Sequence, residues 1–260
     1  MRRIQSIELH EQAWFPSSIR NEITDILQFG LNLSNAYGSA ATLLQPALRA
    51  AGTHSVVDLC SGGGGPWLNL SREIHGINEA FRVCLTDKYP NLKAFQKAKG
   101  MSGNITFFQE SVDATDVPRR LNGFRTMFTA FHHFGRAEAR AILQSAVDAR
   151  QGIGVFEITR RTPSAIGLML LWSLASLALT PFIRPFRWSL LLWTYVIPII
   201  PFVLLFDGVV SCLRTYRPQE LNELTKQLIG ADYEWETGEH TGAPLGVPIT
   251  YLIGYPRACR

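Results

Sequence analysis

Residues 56–67, VVDLCSGGGGPW, constrain this chain more than any other stretch. Val56, Val57 and Leu59 around Asp58 read as a short strand buried on both faces. Gly62 to Gly65 then remove every Cβ from the turn that follows, which allows positive φ and lets a ligand approach the main chain. A strand-to-helix turn needs one glycine, so four in succession favour a ligand loop. A P-loop requires Lys-Ser/Thr after its last glycine, and Pro66-Trp67 stands there instead. A dinucleotide loop requires G-x-G-x-x-G, and the position of the third glycine is Trp67.

From residue 55 onward, short apolar runs alternate with helical stretches. The expected strands are 55–60, 82–87, 105–109, 125–130 and 152–157, with an amphipathic helix over 136–150. That alternation implies an α/β protein, a parallel sheet wound with helices on both faces. Upstream, residues 17–50 read as a helical cap, with Ser17-Ser18 at its start and Ile19, Ile23, Ile26 and Leu27 on one face. Downstream, 218–229 reads as a helix between Pro218 and Gly230. Two further strands, 233–237 and 249–254, flank a Gly/Pro-rich loop suited to a hairpin. The expected organisation is a cap over 1–50 and a sheet domain over 51–260, interrupted by an apolar insertion at 164–206.

In an open parallel sheet, ligands bind at the carboxyl ends of the strands. Each expected strand here ends in residues suited to that crevice. The first ends in Asp58 and the loop Cys60, Ser61, Gly62, Gly64. The second ends in Asp87, with Tyr89 beyond it. The third is followed by Asp113-Ala114, and the fourth by His132-His133. Asp87 could accept both hydroxyls of a ribose. His132 or His133 could serve as a general base, since imidazole titrates near neutrality.

This ordered set resembles the class I S-adenosylmethionine-dependent methyltransferases. DLCSGGG matches the family's acidic-x-Gly-x-Gly-x-Gly motif through Asp58, Gly62 and Gly64, with Cys60 where the first glycine usually sits. The resemblance covers roughly 50–160 and 207–260. It implies a doubly wound, mostly parallel seven-stranded sheet closed by an antiparallel strand, and S-adenosylmethionine as cofactor. It further implies that the glycine loop takes the amino-acid end of the cofactor at a helix N-terminus, where a carboxylate is favoured. Asp58 would then face the amino group, directly or through the loop. Asp87 would hold the ribose, Tyr89 would stack on adenine, and Asp113-Ala114 would meet the adenine edge. The double histidine matches a variant of the family's fourth motif.

Residues 165–206 set this chain apart. Ala165–Thr180 has no charge over 16 residues, and Trp188–Phe206 has none over 19. As helices they would run about 24 and about 28 Å, against a hydrocarbon core of about 30 Å. Pro198 and Pro201 would kink the second. Arg160-Arg161 precede the pair and Arg184 and Arg187 lie between them, so a spanning hairpin would place two arginines outside, against the positive-inside tendency. A hairpin dipping into one leaflet, with Trp172, Trp188 and Trp193 at headgroup level, avoids that conflict. A soluble lid, a homodimer contact and two spanning helices stay open as alternatives. The expected location is the cytoplasmic side of a membrane, monotopic or peripheral, and the expected substrate is a lipophilic small molecule methylated on oxygen or carbon.

Composition excludes other classes. A net charge of +4 with no dense basic run gives no nucleic-acid face. Four cysteines and six histidines lack zinc spacing, so no metal is expected. The N-terminal MRRIQSIELHEQ has no apolar run and does not read as a signal peptide. A nicotinamide oxidoreductase would need the dinucleotide fingerprint or a Tyr-x-x-x-Lys dyad, and neither is present. A non-catalytic cofactor-binding protein at a membrane stays open, because these motifs specify binding better than turnover.

Overall fold

The computed structural model describes residues 1–75, 78–230, 232–241 and 246–257. Part of the loop between the two closing strands, and Cys259, lie outside the described residues. Helices and strands follow in the order α1 (Ser17–Ser34), α2 (Ala40–Ala50), β1 (Ser55–Asp58), α3 (Trp67–His75), β2 (Arg82–Leu85) and α4 (Leu92–Met101). Then come β3 (Ile105–Phe107), β4 (Phe124–Phe128), α5 (Arg136–Asp148), β5 (Ile153–Glu157), α6 (Pro163–Leu179), α7 (Trp188–Leu191) and α8 (Ile199–Arg214). The chain closes with α9 (Pro218–Thr225), β6 (Tyr233–His240) and β7 (Ile249–Pro256).

The seven strands form one sheet in the order β3-β2-β1-β4-β5-β7-β6. β1 to β5 run parallel. β7 returns antiparallel to β5, and β6 is antiparallel to β7. The order reverses at β1, which lies between β2 and β4, so a ligand crevice belongs at its carboxyl end. β4 and β5 are buried at every position, the reason their sequences are continuous runs rather than alternations. On α5 the buried residues are Ala139, Ile142, Leu143 and Ala146, the spacing of a single helical face.

Contacts divide the chain into two compact units, one of Leu31–Ile158 with Arg217–Arg260, the other of Met1–Gly30 with Thr159–Tyr216. The first holds the whole sheet. The expected cap over 1–50 is thus parted at Gly30 in this division. The helical stretch over 17–50 consists of two helices, because Asn35 takes a left-handed φ of +44° and the chain turns before α2. Asparagine tolerates that conformation better than most residues.

The second unit is helical. α1 contributes Ile19, Ile23 and Ile26 to a core with Ile183, Leu190 and Ile200. The second apolar stretch is not one kinked helix but two segments, Trp188–Val196 and Ile199–Arg214, bent by 72°. Pro198 supplies no N–H at the break, and the Ile197 N–H donates five residues back to the Leu192 carbonyl (2.9 Å).

Candidate active site

The loop after β1 is held by a buried carboxylate. Parallel register sets Asp58 beside Thr126 of β4, and the Thr126 hydroxyl donates to Asp58 Oδ1 at 2.7 Å. The Ser61 hydroxyl donates to Oδ2 at 2.6 Å, folding the loop back over the strand end. Cys60, Gly62, Gly64 and Gly65 all have left-handed φ, +58°, +54°, +112° and +56°. Glycine takes that conformation freely, whereas Cys60 pays about 1–2 kcal/mol for it. That is the physical reason a glycine is favoured at its position. Trp67 anchors the far side of the loop. It is fully buried at the start of α3, edge-on to Phe128 with 5.4 Å between ring centroids, and Phe128 stacks on Phe156 at 5.0 Å.

Asp58 is therefore turned inward, and it reaches the crevice through the loop it shapes. Burial pushes its carboxyl up to about 6 from 3.8, against the hydroxyls that favour the charged form, with Asp87 adding to the rise. A raised pKa means the native state binds the proton more tightly than the unfolded chain. Its contribution to stability is then full below about pH 4 and is lost as pH rises through about 6, an effect of about 3 kcal/mol. Asp58→Asn should remove this slope. Urea midpoints of both proteins between pH 4 and 7 would show it as wild type losing stability relative to the variant as pH rises, and a pH-independent difference would refute it.

Asp87, half-buried at the end of β2, faces the same loop. Its Oδ2 accepts the Gly62 N–H at 2.8 Å and its Oδ1 accepts the Tyr89 N–H at 2.8 Å. Each oxygen takes one main-chain donor in these bonds, so a further lone pair on each remains for a diol. The Asp87 carbonyl accepts the Val112 N–H at 2.9 Å, which ties the turn after β3 to the same place. Asp113 in that turn receives Lys88 Nζ at 2.8 Å, and both the N–H (2.9 Å) and the hydroxyl (2.7 Å) of Thr115. These donors, Lys88 first, lower its carboxyl to about 2. The Lys88–Asp113 pair is substantially exposed, so exchanging it for a ligand amino group costs little. Ala114 is buried beside it, and the Tyr89 ring stands 66% exposed.

His132 and His133 lie on a 3-10 turn, Phe131–His133, after β4. His132 is buried and doubly clamped by Glu157, the last residue of β5. Its N–H donates to Oε1 at 3.1 Å and its Nδ1 lies 2.8 Å from Oε2. Burial alone would raise the Glu157 carboxyl, yet the neighbouring imidazoles win and hold it below the usual range. A charged carboxylate on Nδ1 selects the tautomer with its proton there and leaves Nε2 the basic nitrogen. The two imidazole rings lie 4.2 Å apart. The site thus combines a charged acceptor for a diol, a glycine loop leading into a helix, and an oriented imidazole, all at the carboxyl ends of the parallel strands.

No protein-family model and no curated protein matches this chain. Solved structures do. An O-methyltransferase family protein from Burkholderia thailandensis aligns over 94% of this chain and 61% of its own length, with TM-score 0.53 and 14% identity. Human N-acetylserotonin methyltransferase, solved in complex with S-adenosylmethionine, aligns over 93% of this chain and 59% of its own, with TM-score 0.51 and 14% identity. This chain has the class I methyltransferase fold.

The chain spans about three fifths of the length of these structures. The class I fold accounts for the closing antiparallel β7, as the sequence led us to expect. Among the expected site residues, Asp58, Ser61, Gly62, Asp87, Tyr89 and Asp113 are joined by one hydrogen-bond network through the ends of β1, β2 and β3. Glu157 was missed, as were Thr126 and Lys88. Glu157 carried a usable signal, because it is the last residue of its strand, as Asp58 is of β1. Thr126 carried none, since its role comes from parallel register alone.

Proposed function

We propose that this chain is an S-adenosylmethionine-dependent methyltransferase acting on oxygen or carbon of a lipophilic small molecule. The observation that carries this reading is that the carboxyl ends of the parallel strands bear both the Asp87-anchored glycine loop and the Glu157-clamped His132. When bound, the cofactor supplies an electrophilic methyl group on a cationic sulfur that leaves as a neutral thioether. Asp87 would accept the ribose hydroxyls, and the loop N–H groups before α3 would take the carboxylate. His132 Nε2 would receive the acceptor's proton as the new bond to carbon forms, while Glu157 balances the charge on the imidazolium. A lipophilic acceptor fits the uncharged segments that follow β5. In-line placement of acceptor and methyl group then supplies most of the acceleration.

Isothermal titration of the purified chain tests this. We expect S-adenosylhomocysteine to bind and NAD to give no heat. NAD binding without a response to S-adenosylhomocysteine would replace this reading with the oxidoreductase one.

A further inference from the structure

The polarity of α6 is inverted. Beyond the exposed Ser164 of its first turn, Ser173, Ser176 and the following Thr180 are buried, whereas Gly167, Leu168, Leu170, Leu171, Leu174 and Ala178 face outward, Leu171 with 62% of its surface exposed. The buried hydroxyls are spent inside the unit. Ser173 donates to the Pro201 carbonyl at 2.7 Å, linking α6 to α8, and Ser176 and Thr180 donate to Ser173 and Ser176 carbonyls at 2.7 Å. Close helix approach accompanies this, since a Cβ on Gly208 would stand 3.0 Å from Met169 Sδ. Over Pro163–Phe182 the mean hydropathy is 1.8, yet only 17% of the best 18-residue window is buried. A core helix of a water-soluble protein shows the reverse. Hydroxyls and small residues inward with leucines outward is the arrangement that hydrocarbon solvent selects.

We infer that the unit of Met1–Gly30 and Thr159–Tyr216 seats in one leaflet of a lipid bilayer, with α6 along the membrane plane. In sequence, Arg160 and Arg161 precede α6 and Arg184 and Arg187 follow it; Arg161 is buried and Arg187 pairs with Asp25, whereas Arg184 is exposed. The exposed loop after it carries Phe186 against Trp188, edge-on at 5.1 Å, beside Arg184, an interfacial combination of aromatic rings and a cation. A perpendicular, spanning α6 is disfavoured by α1. That helix shares the core of this unit and packs Gly30 against the Trp172 ring, while Glu22 binds Ser189 and Asp25 pairs with Arg187 at 2.6 Å. Spanning would carry Arg20, Glu22 and Asp25 into the hydrocarbon with it. The second apolar stretch, bent by 72°, is also no straight span. This inference does not depend on the methyl-transfer reading.

Flotation of the full chain with vesicles of phosphatidylcholine, with and without phosphatidylglycerol, tests it. Wild type should float, and Leu171→Glu with Leu174→Glu should lower partitioning at least tenfold with an unchanged circular dichroism spectrum and melting temperature. Arg184→Ala should lower partitioning about fivefold on the anionic vesicles, the worth of one basic residue near such a surface. Quenching of Trp188, taken against Trp188→Phe, should be stronger from bromines placed shallow in the acyl chains than deep. Wild type remaining unfloated overturns the inference. So does a double variant that floats like wild type but sediments as a monomer from a wild-type dimer, because the face is then a contact between copies. Stronger deep quenching overturns the in-plane seat.

Discussion

We expect His132→Gln to lower turnover by about 10²–10⁴-fold and to leave affinity for S-adenosylhomocysteine within about twofold. The magnitude is that of a positioned general base. The separation of the two effects follows from geometry, because His132 is held by Glu157 of β5 while the hydrogen bonds to Asp87 run through the β1 loop, β2 and the turn after β3. Glu157→Gln should share most of this loss. An amide cannot balance the imidazolium, and its NH₂ could donate to Nδ1 and move the ring proton to Nε2, where a base must accept. Single-turnover assays with a phenolic acceptor, alongside calorimetry, read both quantities. Equal losses of binding and turnover, with a lowered melting temperature, would mean that the dyad only supports the fold.

Asp87→Ala should cost about 2–4 kcal/mol of cofactor affinity, the worth of two charge-assisted hydrogen bonds from a ribose. Some of that loss would come from the loop, since Gly62 and Tyr89 both donate to this carboxylate. Asp87→Asn separates the parts, because its amide oxygen still accepts one donor but carries no charge. We expect it to bind between wild type and the alanine variant. Calorimetry with S-adenosylhomocysteine decides, and an alanine variant that binds like wild type would remove Asp87 from the site.

The glycine loop, the strand-end acids and the double histidine were all legible in the sequence, because each is a local requirement of backbone or charge. Gly62 and Gly64 have positive φ, as a Cβ-free turn should. The five parallel strands came out one or two residues shorter than expected, as at β1, where Leu59 leaves the ladder and its N–H goes to the Thr126 carbonyl at 2.8 Å, whereas β6 and β7 run past 237 and 254 to His240 and Pro256. For Asp58 the sequence leaves open whether it faces a ligand directly or acts through the loop, and the structure has it act through the loop. Its inward turn depends on Thr126, 68 residues away and adjacent only through parallel register.

By itself, the sequence determined the α/β class, the crevice-forming loop and the uncharged character of 165–206, since periodicity, glycine and hydropathy act within a few residues. The tertiary structure alone decided which histidine is clamped and by which carboxylate, because Glu157 and His132 meet only when β5 pairs with β4. It also decided which face of α6 looks outward. The sequence places Ser173, Ser176 and Thr180 on one face of an otherwise apolar segment, but only packing decides that this face turns inward, where Ser173 bonds to the Pro201 carbonyl of α8 and Leu168, Leu170, Leu171 and Leu174 stay exposed.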